Sequence, residues 1–239
     1  GKYTALKDSY ISIVEAIKHA SAHLSVKPVF KWIEATDIEQ GLKDPSEALT
    51  NVNGVVILPG FGKRGAEGKV ILIKESREKN IPTLGICFGL QLMVVEYARN
   101  VIGLEKANST EIDPSTPHPV VDLMEKQKKI KGLGGTMRLG SHPIILVRGT
   151  KVYEIYGGSQ IIFERHRHRY EINPKYVDLL ESTGFLVSGW SREEFPEFME
   201  SKNHLFYIGT QAHPEFKSRP LRPTPLYLEF VRACIRAKS

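Results

Sequence analysis

One cysteine stands where a protein commonly places a nucleophile. Cys87 follows the short apolar run Thr83–Ile86, which predicts a buried strand, and precedes a helical pattern over residues 88–99. Gly85 and Gly89 frame it, and Gly-x-Cys-x-Gly between a strand and a helix is the cysteine form of a nucleophile elbow. Such glycines allow strained backbone angles and close approach of a substrate, and the start of a helix favours a thiolate. The pattern predicts nucleophilic catalysis by Cys87.

A structural interpretation stays open for the cysteines. Free cysteine is among the residue types that proteins bury most often, so Cys87 taken alone also fits a structural residue behind a strand. Cys234 lies inside a helical pattern near the C-terminus, and there the structural interpretation is our prediction. The rest of the chain has to supply the partners that a nucleophilic Cys87 needs.

A base for the cysteine is offered by His213, which follows an apolar run at residues 206–209 and is separated from Glu215 by a proline. A nucleophile needs a base to take its proton, and the base needs a group that orients it. Residues two apart in an extended segment point to the same side, and proline favours an extended backbone in the residue before it. We therefore predict that His213 is the base and that Glu215 holds its imidazole. Without Cys87, His213 would be interpreted as an ordinary loop histidine.

A glycine-rich segment at residues 59–62 follows a second apolar strand, predicted over residues 54–58. Acyl transfer needs backbone N–H groups that stabilise a negatively charged oxygen, the oxyanion hole. The N–H groups near Gly60 and Phe61 are predicted to face the sheet edge that carries the cysteine. A phosphate-binding loop is the alternative, but its Gly-Lys-Ser/Thr ending is absent because Arg64 stands where Ser or Thr is required.

The most polar run of the chain is Glu164-Arg-His-Arg-His-Arg-Tyr-Glu171. As a nucleic-acid patch it is short and bounded by acidic residues, which argues against that function. As a metal site it offers His166 and His168 but no third ligand nearby in the sequence. Two interpretations remain: one arginine binds a substrate carboxylate through paired hydrogen bonds, or the run forms a charged structural network.

Length and composition describe a globular protein with a sizeable core. The chain has 239 residues, 41% of them hydrophobic, without internal repeats or a clear linker, which predicts one domain. Two cysteines give no disulfide framework, so a reducing, cytoplasmic setting is predicted. We expect neither a membrane span nor a signal peptide. A net charge of +6 fits anionic ligands such as nucleotides but supports nucleic-acid binding only weakly.

The order of predicted elements indicates an α/β fold, with a mostly parallel central sheet and helices on both faces. Residues 102–140 predict a long irregular excursion, whose lysine-rich run at 126–131 is interpreted as a solvated loop, and a smaller set of short strands follows it. The predicted helices cover residues 8–25, 67–80, 88–99, 174–182 and 223–237, with a short turn possible between 37 and 50. The predicted strands cover residues 26–33, 54–58, 83–86, 144–147, 159–163, 186–190, 198–201 and 206–211.

Together these motifs resemble the class I, or triad, glutamine amidotransferase family, and within it the glutaminase domains of CTP synthases. The resemblance covers essentially the whole chain, although the cysteine elbow and His213-Pro-Glu215 alone indicate only the amidotransferase class. Ala107-Asn-Ser-Thr-Glu111 and the Arg-His-Arg-His-Arg-Tyr run single out the CTP synthase domains. Further matching stretches are Gly1-Lys-Tyr3, Asp8-Ser-Tyr10, Gly62-Lys-Arg-Gly65, Glu67-Gly-Lys69, Glu96-Tyr-Ala-Arg-Asn-Val101, His118-Pro-Val120, Gly135-Thr-Met-Arg-Leu-Gly140 and His213-Pro-Glu-Phe-Lys-Ser-Arg-Pro220.

The resemblance implies roles for individual residues. Cys87 is expected to attack the side-chain amide of glutamine, while His213 transfers the proton and Glu215 orients His213. A glutamyl thioester then releases glutamate after ammonia has left. The oxyanion hole is expected at Gly60, Phe61 and Phe88. The residues expected to bind glutamine, which presents one cation and one anion, are Gly60, Phe88, Gln91, Glu111, Arg169 and Tyr170.

The resemblance also implies partners. Ammonia is expected to reach an amidoligase domain of the same polypeptide, which converts UTP to CTP with ATP and Mg²⁺ in a homotetrameric enzyme. GTP is expected to activate the enzyme through a lid in the middle excursion near Arg138. Neither a cofactor nor a metal is expected in this domain itself.

The sequence departs from the family pattern in three places. The family loop is usually Pro-Gly-Gly-Phe-Gly, and one glycine is absent here, so the choice of oxyanion N–H groups stays open. The strand expected before Gly1 and the amidoligase domain are missing, so residues 1–239 are expected to be a glutaminase domain from a longer protein. Two alternatives stay open: another triad enzyme on this fold, such as a γ-glutamyl peptidase, or a non-catalytic, nucleotide-responsive module.

Overall fold

A computed structural model describes residues 1–123 and 137–237 of the chain. The α-helices are α1 (Ile11–His23), α2 (Ala35–Glu39), α3 (Pro45–Ala48), α4 (Ala66–Glu78), α5 (Phe88–Tyr97), α6 (Lys151–Ile155), α7 (Val177–Ser182) and α8 (Pro225–Arg236). The strands are β1 (Val55–Ile57), β2 (Thr83–Ile86), β3 (Ala107–Ser109), β4 (His118–Leu123), β5 (Arg138–Leu146), β6 (Ile161–His168), β7 (Tyr170–Ile172), β8 (Phe185–Trp190), β9 (Pro196–Ser201) and β10 (Tyr207–Thr210). Short 3₁₀-helices occur at Lys7–Tyr10, Pro174–Tyr176 and Pro214–Lys217, and a π-helical turn, Ala98–Ile102, continues α5.

A seven-stranded sheet in the order β1-β2-β10-β9-β8-β5-β6 forms the centre of the fold. β2 pairs in parallel with both β1 and β10, whereas the other pairs, from β10–β9 to β5–β6, are antiparallel. The predicted α/β fold is confirmed, but the sheet is mixed rather than mostly parallel. Parallel neighbours need a long crossover such as the one through α4, whereas β8, β9 and β10 follow one another through short connections that reverse the chain.

Helices cover both faces of this sheet, as predicted. α4, α5 and α7 pack on one face through a cluster that includes Ile73, Leu90 and Leu180. α1, α6 and α8 pack on the other through a cluster that includes Ile13 and Val152. Within the described residues, no helix combines the length and the hydrophobicity that crossing a membrane requires. The two clusters pack against opposite faces of the sheet. They fix the position of the edge at which β2 and β10 end.

A second, three-stranded sheet, β3-β4-β7, contacts the side of α5 that faces away from the large sheet. Two of its strands lie within residues 102–140, so the prediction of an entirely irregular excursion is wrong. Ala107–Ser109 carries little strand propensity of its own, and pairing with β4 decides its conformation. The short strands predicted after the excursion mostly join the large sheet rather than forming a smaller set. The lysine-rich run at residues 126–131 lies outside the described residues.

The strand predicted over residues 26–33 does not form. In the described structure this stretch is irregular, and its end is hydrogen-bonded to Gly1 through Ile33 and Ala35. Val29 is 92% exposed. The run carries the apolar residues of a strand, but a strand also needs a hydrogen-bonded neighbour along its length, and the described residues provide none here.

Gly85 and Gly89 allow close packing around the cysteine. A Cβ atom on Gly89 would overlap the carbonyl oxygen of Ile57 in β1, and one on Gly85 would overlap the sulfur of Met93 in α5. Neither glycine has a positive φ; the positive φ, of 54°, belongs to Cys87 itself. The prediction that these glycines carry the strained angles is therefore wrong, because their small size serves helix–sheet contact instead.

Replacing Gly89 with alanine is expected to lower the free energy of unfolding by about 3 kcal/mol, because the added methyl group meets a backbone oxygen that no side-chain rotation can move. Gly149→Ala is the control: nothing lies within 4 Å of its Cβ position, but its φ of +81° predicts a loss of about 1 kcal/mol. Urea denaturation measures both. A Gly89 variant as stable as the control would contradict the packing explanation.

Candidate active site

Cys87 connects the end of β2 to the start of α5. Its φ of 54° and ψ of −106° place it in a sparsely populated backbone region, as expected for a nucleophile elbow. Its N–H donates to the carbonyl oxygen of Thr210 at the end of β10, at 2.7 Å. The side chain is thereby held at the edge where the parallel strands end, which is where α/β folds place their ligand sites.

His213 and Glu215 reach the same edge because they follow β10, the parallel neighbour of β2. Nδ1 of His213 lies 2.8 Å from Oε1 of Glu215, and the interaction of the imidazole with Cys87 helps to raise the pKa of His213. Glu215 lies in the 3₁₀-helix Pro214–Lys217, so the extended geometry that we predicted for this pair is wrong. The tight turn nevertheless brings the carboxylate to the imidazole, and Cys87, His213 and Glu215 line one cavity.

The imidazole of His213 carries a positive charge at neutral pH. Burial lowers the pKa of His213, but hydrogen bonds with Cys87 and Glu215 outweigh that effect and raise this pKa to about 10. All three side chains are buried, so water screens their interaction weakly. The site thus holds a proton next to the cysteine sulfur and keeps it there across the neutral range.

Tyr227 in α8 also holds the carboxylate, and the sequence analysis missed it. Its hydroxyl lies 3.4 Å from Oε2 of Glu215, and its ring is fully buried. Burial raises the pKa of Tyr227 well above its usual value, so the hydroxyl stays a hydrogen-bond donor. Both oxygens of Glu215 therefore have partners. A tyrosine on a buried helix face gives no sign of this contact in the sequence.

A cavity of about 800 Å³ opens beside Cys87. All the residues predicted to act in catalysis or glutamine binding line it, whereas Arg138 does not. The predicted residues in the lining are Gly60, Phe61, Cys87, Phe88, Gln91, Glu111, Arg169, Tyr170, His213 and Glu215. Their individual roles stay predictions. The fold brings them together from loops and elements that are far apart in the sequence.

Glu111 and Arg169 give the cavity two opposite charges. Arg169 stands at the bend between β6 and β7, where the chain passes from the large sheet to the small one. Burial raises the pKa of Glu111, against the opposing effects of the Gly62 N–H, Lys2 and Arg169. A buried carboxylate in this setting gains from a cationic ligand group. The pair matches a ligand that carries one positive and one negative group.

Gln91 lies in the wall of the cavity, 3% exposed. Its Nε2 donates to the carbonyl oxygen of Tyr170 at 3.1 Å and to Oε1 of Gln211 at 3.3 Å. Gln211, to which the sequence analysis gave no role, places its own Nε2 3.7 Å from Sγ of Cys87. The side-chain amides of Gln211 and Gln91 therefore link the cysteine to the backbone of β7 at Tyr170, which lines the cavity.

The shortened glycine loop presents two backbone N–H groups to the cavity. Within the described residues, the Gly60 and Phe61 amides donate no hydrogen bond, whereas the Gly62 amide donates to Glu111 at 3.0 Å. Phe88 opens α5, where the first amides have no acceptor within the helix. The loop thus offers donors near the cysteine despite the missing glycine.

A buried charged network lies behind the cavity. The guanidinium of Arg138 lies 3.4 Å from Glu171 and 3.2 Å from Glu197, and Nδ1 of His166 lies 3.0 Å from Nε2 of His168. The ligand atoms of His166, His168 and Glu197 lie within 4.8 Å of one another, so β9 supplies the third ligand type that the sequence analysis did not find. Because Glu197 already pairs with Arg138, the geometry favours the interpretation as a structural network. The absence of a metal stays a prediction.

This network shifts the titration of its members. Burial raises the pKa of Glu171 to about 8 and that of Glu197 well above its usual value, and burial lowers the pKa of His166 to about 3. Arg138, whose side chain is 8% exposed, serves here as the central cation. Its expected part in the response to GTP stays a prediction.

Comparison with known proteins identifies the family of the chain. Residues 5–233 match the family model described as glutamine amidotransferase class-I. The chain belongs to the class I glutamine amidotransferase family. Within that family it is 58% identical over 233 residues to CTP synthase of Sulfurisphaera tokodaii and 59% identical over 233 residues to CTP synthase of Saccharolobus solfataricus. The alignments cover 98% of this chain but 44% and 43% of those proteins, so the chain spans less than half of their length.

A solved structure extends the likeness to three dimensions. The glutaminase domain of Trypanosoma brucei CTPS, with bound acivicin, superposes with a TM-score of 0.90 at 32% identity. The match covers 99% of this chain and 92% of that one. The family and the fold class predicted from the sequence are confirmed, and the chain is similar to the glutaminase domain of CTP synthase over its whole length.

Glu215→Gln is expected to lower the pKa of His213 from about 10 towards 6.5, because the imidazolium loses a charged hydrogen-bond partner. The wild-type ring should therefore hold its proton up to pH 9, and the variant ring should release it earlier. An NMR titration of the imidazole nitrogens measures the shift. Glu229→Gln, on the surface of α8, is the control. Identical titration of His213 in the wild type and in Glu215→Gln would contradict the assignment.

Glu171→Gln is expected to stabilise the protein at pH 9 but not at pH 5. The pKa of Glu171 is raised in the folded state, so its contribution to stability is full below pH 4.5 and is lost as the pH rises through about 8. A neutral glutamine avoids that loss, by about 1 kcal/mol or more. Urea midpoints at both pH values test this. Glu193→Gln, which changes the exposed partner of Arg138, is the control and should give no gain at pH 9. A gain in Glu171→Gln that does not depend on pH would contradict the explanation.

Proposed function

We propose that this chain hydrolyses L-glutamine to glutamate and ammonia. The observation that supports this most directly is the grouping of Cys87, His213 and Glu215 in a cavity whose wall also carries Glu111 and Arg169. Nucleophile, base and orienting carboxylate are the parts that acyl transfer requires. The chain's membership of the class I amidotransferase family supports the choice of an amide substrate.

The proposed reaction passes through a thioester. The sulfur of Cys87 attacks the side-chain carbonyl carbon of glutamine, and the oxygen takes up negative charge near the N–H groups of Gly60, Phe61 and Phe88. His213, positively charged at neutral pH, donates its proton to the leaving nitrogen, which departs as ammonia. Water then adds to the thioester, with neutral His213 as base, and glutamate leaves.

The proposed substrate pose uses the charges in the cavity. Glu111 accepts hydrogen bonds from the α-amino group, and Arg169 pairs with the α-carboxylate through its planar guanidinium. Tyr170 and Phe88 enclose the methylene groups, and Gln91 fixes the backbone of Tyr170. A free amino acid satisfies both charges, whereas a γ-glutamyl peptide must also fit a bulky leaving group beside Cys87.

We extend the proposal to a larger enzyme by analogy with the relatives. Ammonia from this site would pass to an amidoligase domain of the same polypeptide, which converts UTP to CTP with ATP and Mg²⁺. GTP would act as an activator through a segment near Arg138, and the enzyme would be a cytoplasmic homotetramer. The support is similarity alone: relatives named CTP synthase match this chain over less than half of their length.

The test is glutamate release from free glutamine. Cys87→Ala is expected to reduce kcat at least about a thousandfold, because the nucleophile is lost, whereas Cys234→Ala, in α8, should keep it within about twofold. A glutamine-like electrophile should label Cys87 in the wild type, and peptide mapping locates the adduct. A protein that neither releases glutamate nor is labelled would contradict the proposal. Preference for a γ-glutamyl peptide over glutamine would favour the peptidase instead.

A further inference from the structure

Lys69 is a buried lysine that the proposed reaction does not use. It lies in the first turn of α4 and is 1% exposed. Its Nζ donates a hydrogen bond of 2.6 Å to the carbonyl oxygen of Leu58. Few lysines in proteins are buried to this degree, and those that are need a partner or a function.

This position is an unfavourable one for a lysine. Burial, together with the nearby charge of Lys2, lowers the pKa of Lys69 to about 7, against the opposing effects of Cys87 and Glu34. The positive end of the α4 dipole adds to the repulsion, because the ammonium lies close to the start of that helix. The fold alone would be served better by an apolar side chain of similar length. The contacts of its Nζ are therefore the place to look for the function of this lysine.

The contact of Lys69 orients the loop that follows β1. Pairing of β1 with β2 ends at Ile57, so the carbonyl of Leu58 lies just beyond the ladder. Lys69 supplies the donor that this carbonyl would otherwise lack. The next residue is Pro59, whose ring fixes its φ angle. The orientation of the Leu58 carbonyl therefore constrains the next peptide, which carries the Gly60 N–H.

The other end of the same loop is fixed as well. Lys2 donates to the carbonyl oxygens of Phe61 and Gly62, and the Gly62 N–H is taken by Glu111. Three carbonyl groups of the loop thus accept from ammonium groups, whereas the amides of Gly60 and Phe61, two residues that line the cavity, donate no hydrogen bond within the described residues. Lys69 and Lys2 thus anchor the loop by hydrogen bonds at its start and at its end.

Lys69 also contacts the opposite side of the predicted oxyanion hole. Its Nζ lies 5.2 Å from the ring centroid of Phe88, the residue that follows the nucleophile. It lies 3.7 Å from the position that a Cβ on Gly60 would take. A single ammonium therefore packs against both peptide segments that are expected to stabilise the oxyanion.

We propose that Lys69 is a positioning residue that holds the Gly60 and Phe61 N–H groups towards the oxyanion, through its hydrogen bond to Leu58 and its contact with Phe88. The inference rests on the proposed glutamine hydrolysis. Lys69 does not touch the substrate; it acts through the loop. Its removal should therefore affect the charged transition state more than substrate binding or the cysteine itself.

A rival role is electrostatic. Lys69 and Cys87 attract each other when the cysteine is a thiolate, and in this rival role Lys69 serves only to make the sulfur reactive. Alkylation by iodoacetamide separates the two roles. That reaction is a displacement at a saturated carbon and needs the thiolate, but it forms no oxyanion. A loop-positioning residue changes glutamine turnover without changing the alkylation rate.

The experiment compares Lys69→Met with wild type and with Lys151→Met. Methionine keeps an apolar side chain of similar length and removes the donor. Lys151 also donates to two backbone carbonyls, of Ser201 and His204, but neither of these residues lines the cavity. The measurements are kcat and KM for glutamine, the iodoacetamide rate at Cys87, and the unfolding midpoint.

Lys69→Met is expected to lower kcat at least about tenfold, with KM within about threefold and the alkylation rate within about twofold of wild type. Lys151→Met is expected to keep kcat within about twofold. Unchanged kcat in Lys69→Met, an equal fall in kcat and alkylation, or a change in KM alone would overturn the inference. If Lys69→Met does not fold, the same rates in Lys69→Gln decide. A wild-type protein without glutaminase activity would overturn the proposed function first.

Discussion

The site depends on the tight approach of helix α5 to strands β1 and β2. The approach is possible only because Gly89 of α5 has no Cβ atom against Ile57 of β1, and Gly85 of β2 has none against Met93 of α5. It leaves Cys87 in a strained backbone conformation, fixed by a hydrogen bond to the neighbouring strand. Packing of α5 against two sheets holds this strain in place, since every residue of the helix is buried.

The same edge collects charges that the fold has to compensate. His213 is held between Cys87 and Glu215, and Tyr227 completes the carboxylate's partners. Behind the cavity, Arg138 contacts the buried carboxyl groups of Glu171 and Glu197. Isolated buried charges are costly, so each of these groups constrains the position of its partners. This mutual dependence fixes the geometry of the site. No metal is expected to take part in it.

The network behind the cavity also connects the site to distant parts of the chain. The backbone carbonyl of Glu197 accepts the N–H of Gln211, and His168 lies 3.2 Å from the carbonyl oxygen of Tyr170. Both Gln211 and Tyr170 belong to the surroundings of the cavity. The strand β5, which begins at Arg138, is therefore joined to the catalytic edge through hydrogen bonds within a buried, weakly screened environment.

The sequence by itself determined the chemistry and the class of fold. The elbow around Cys87, the His213-Pro-Glu215 motif and the buried runs before them were readable because such patterns depend on neighbouring residues. The tertiary structure decided what depends on residues far apart. It made the sheet mixed, left residues 26–33 without a strand partner, and brought Tyr227, Glu197 and Lys69 to the site. These contacts join elements separated by long stretches of chain, and no local pattern encodes which distant backbone or side chain will lie opposite.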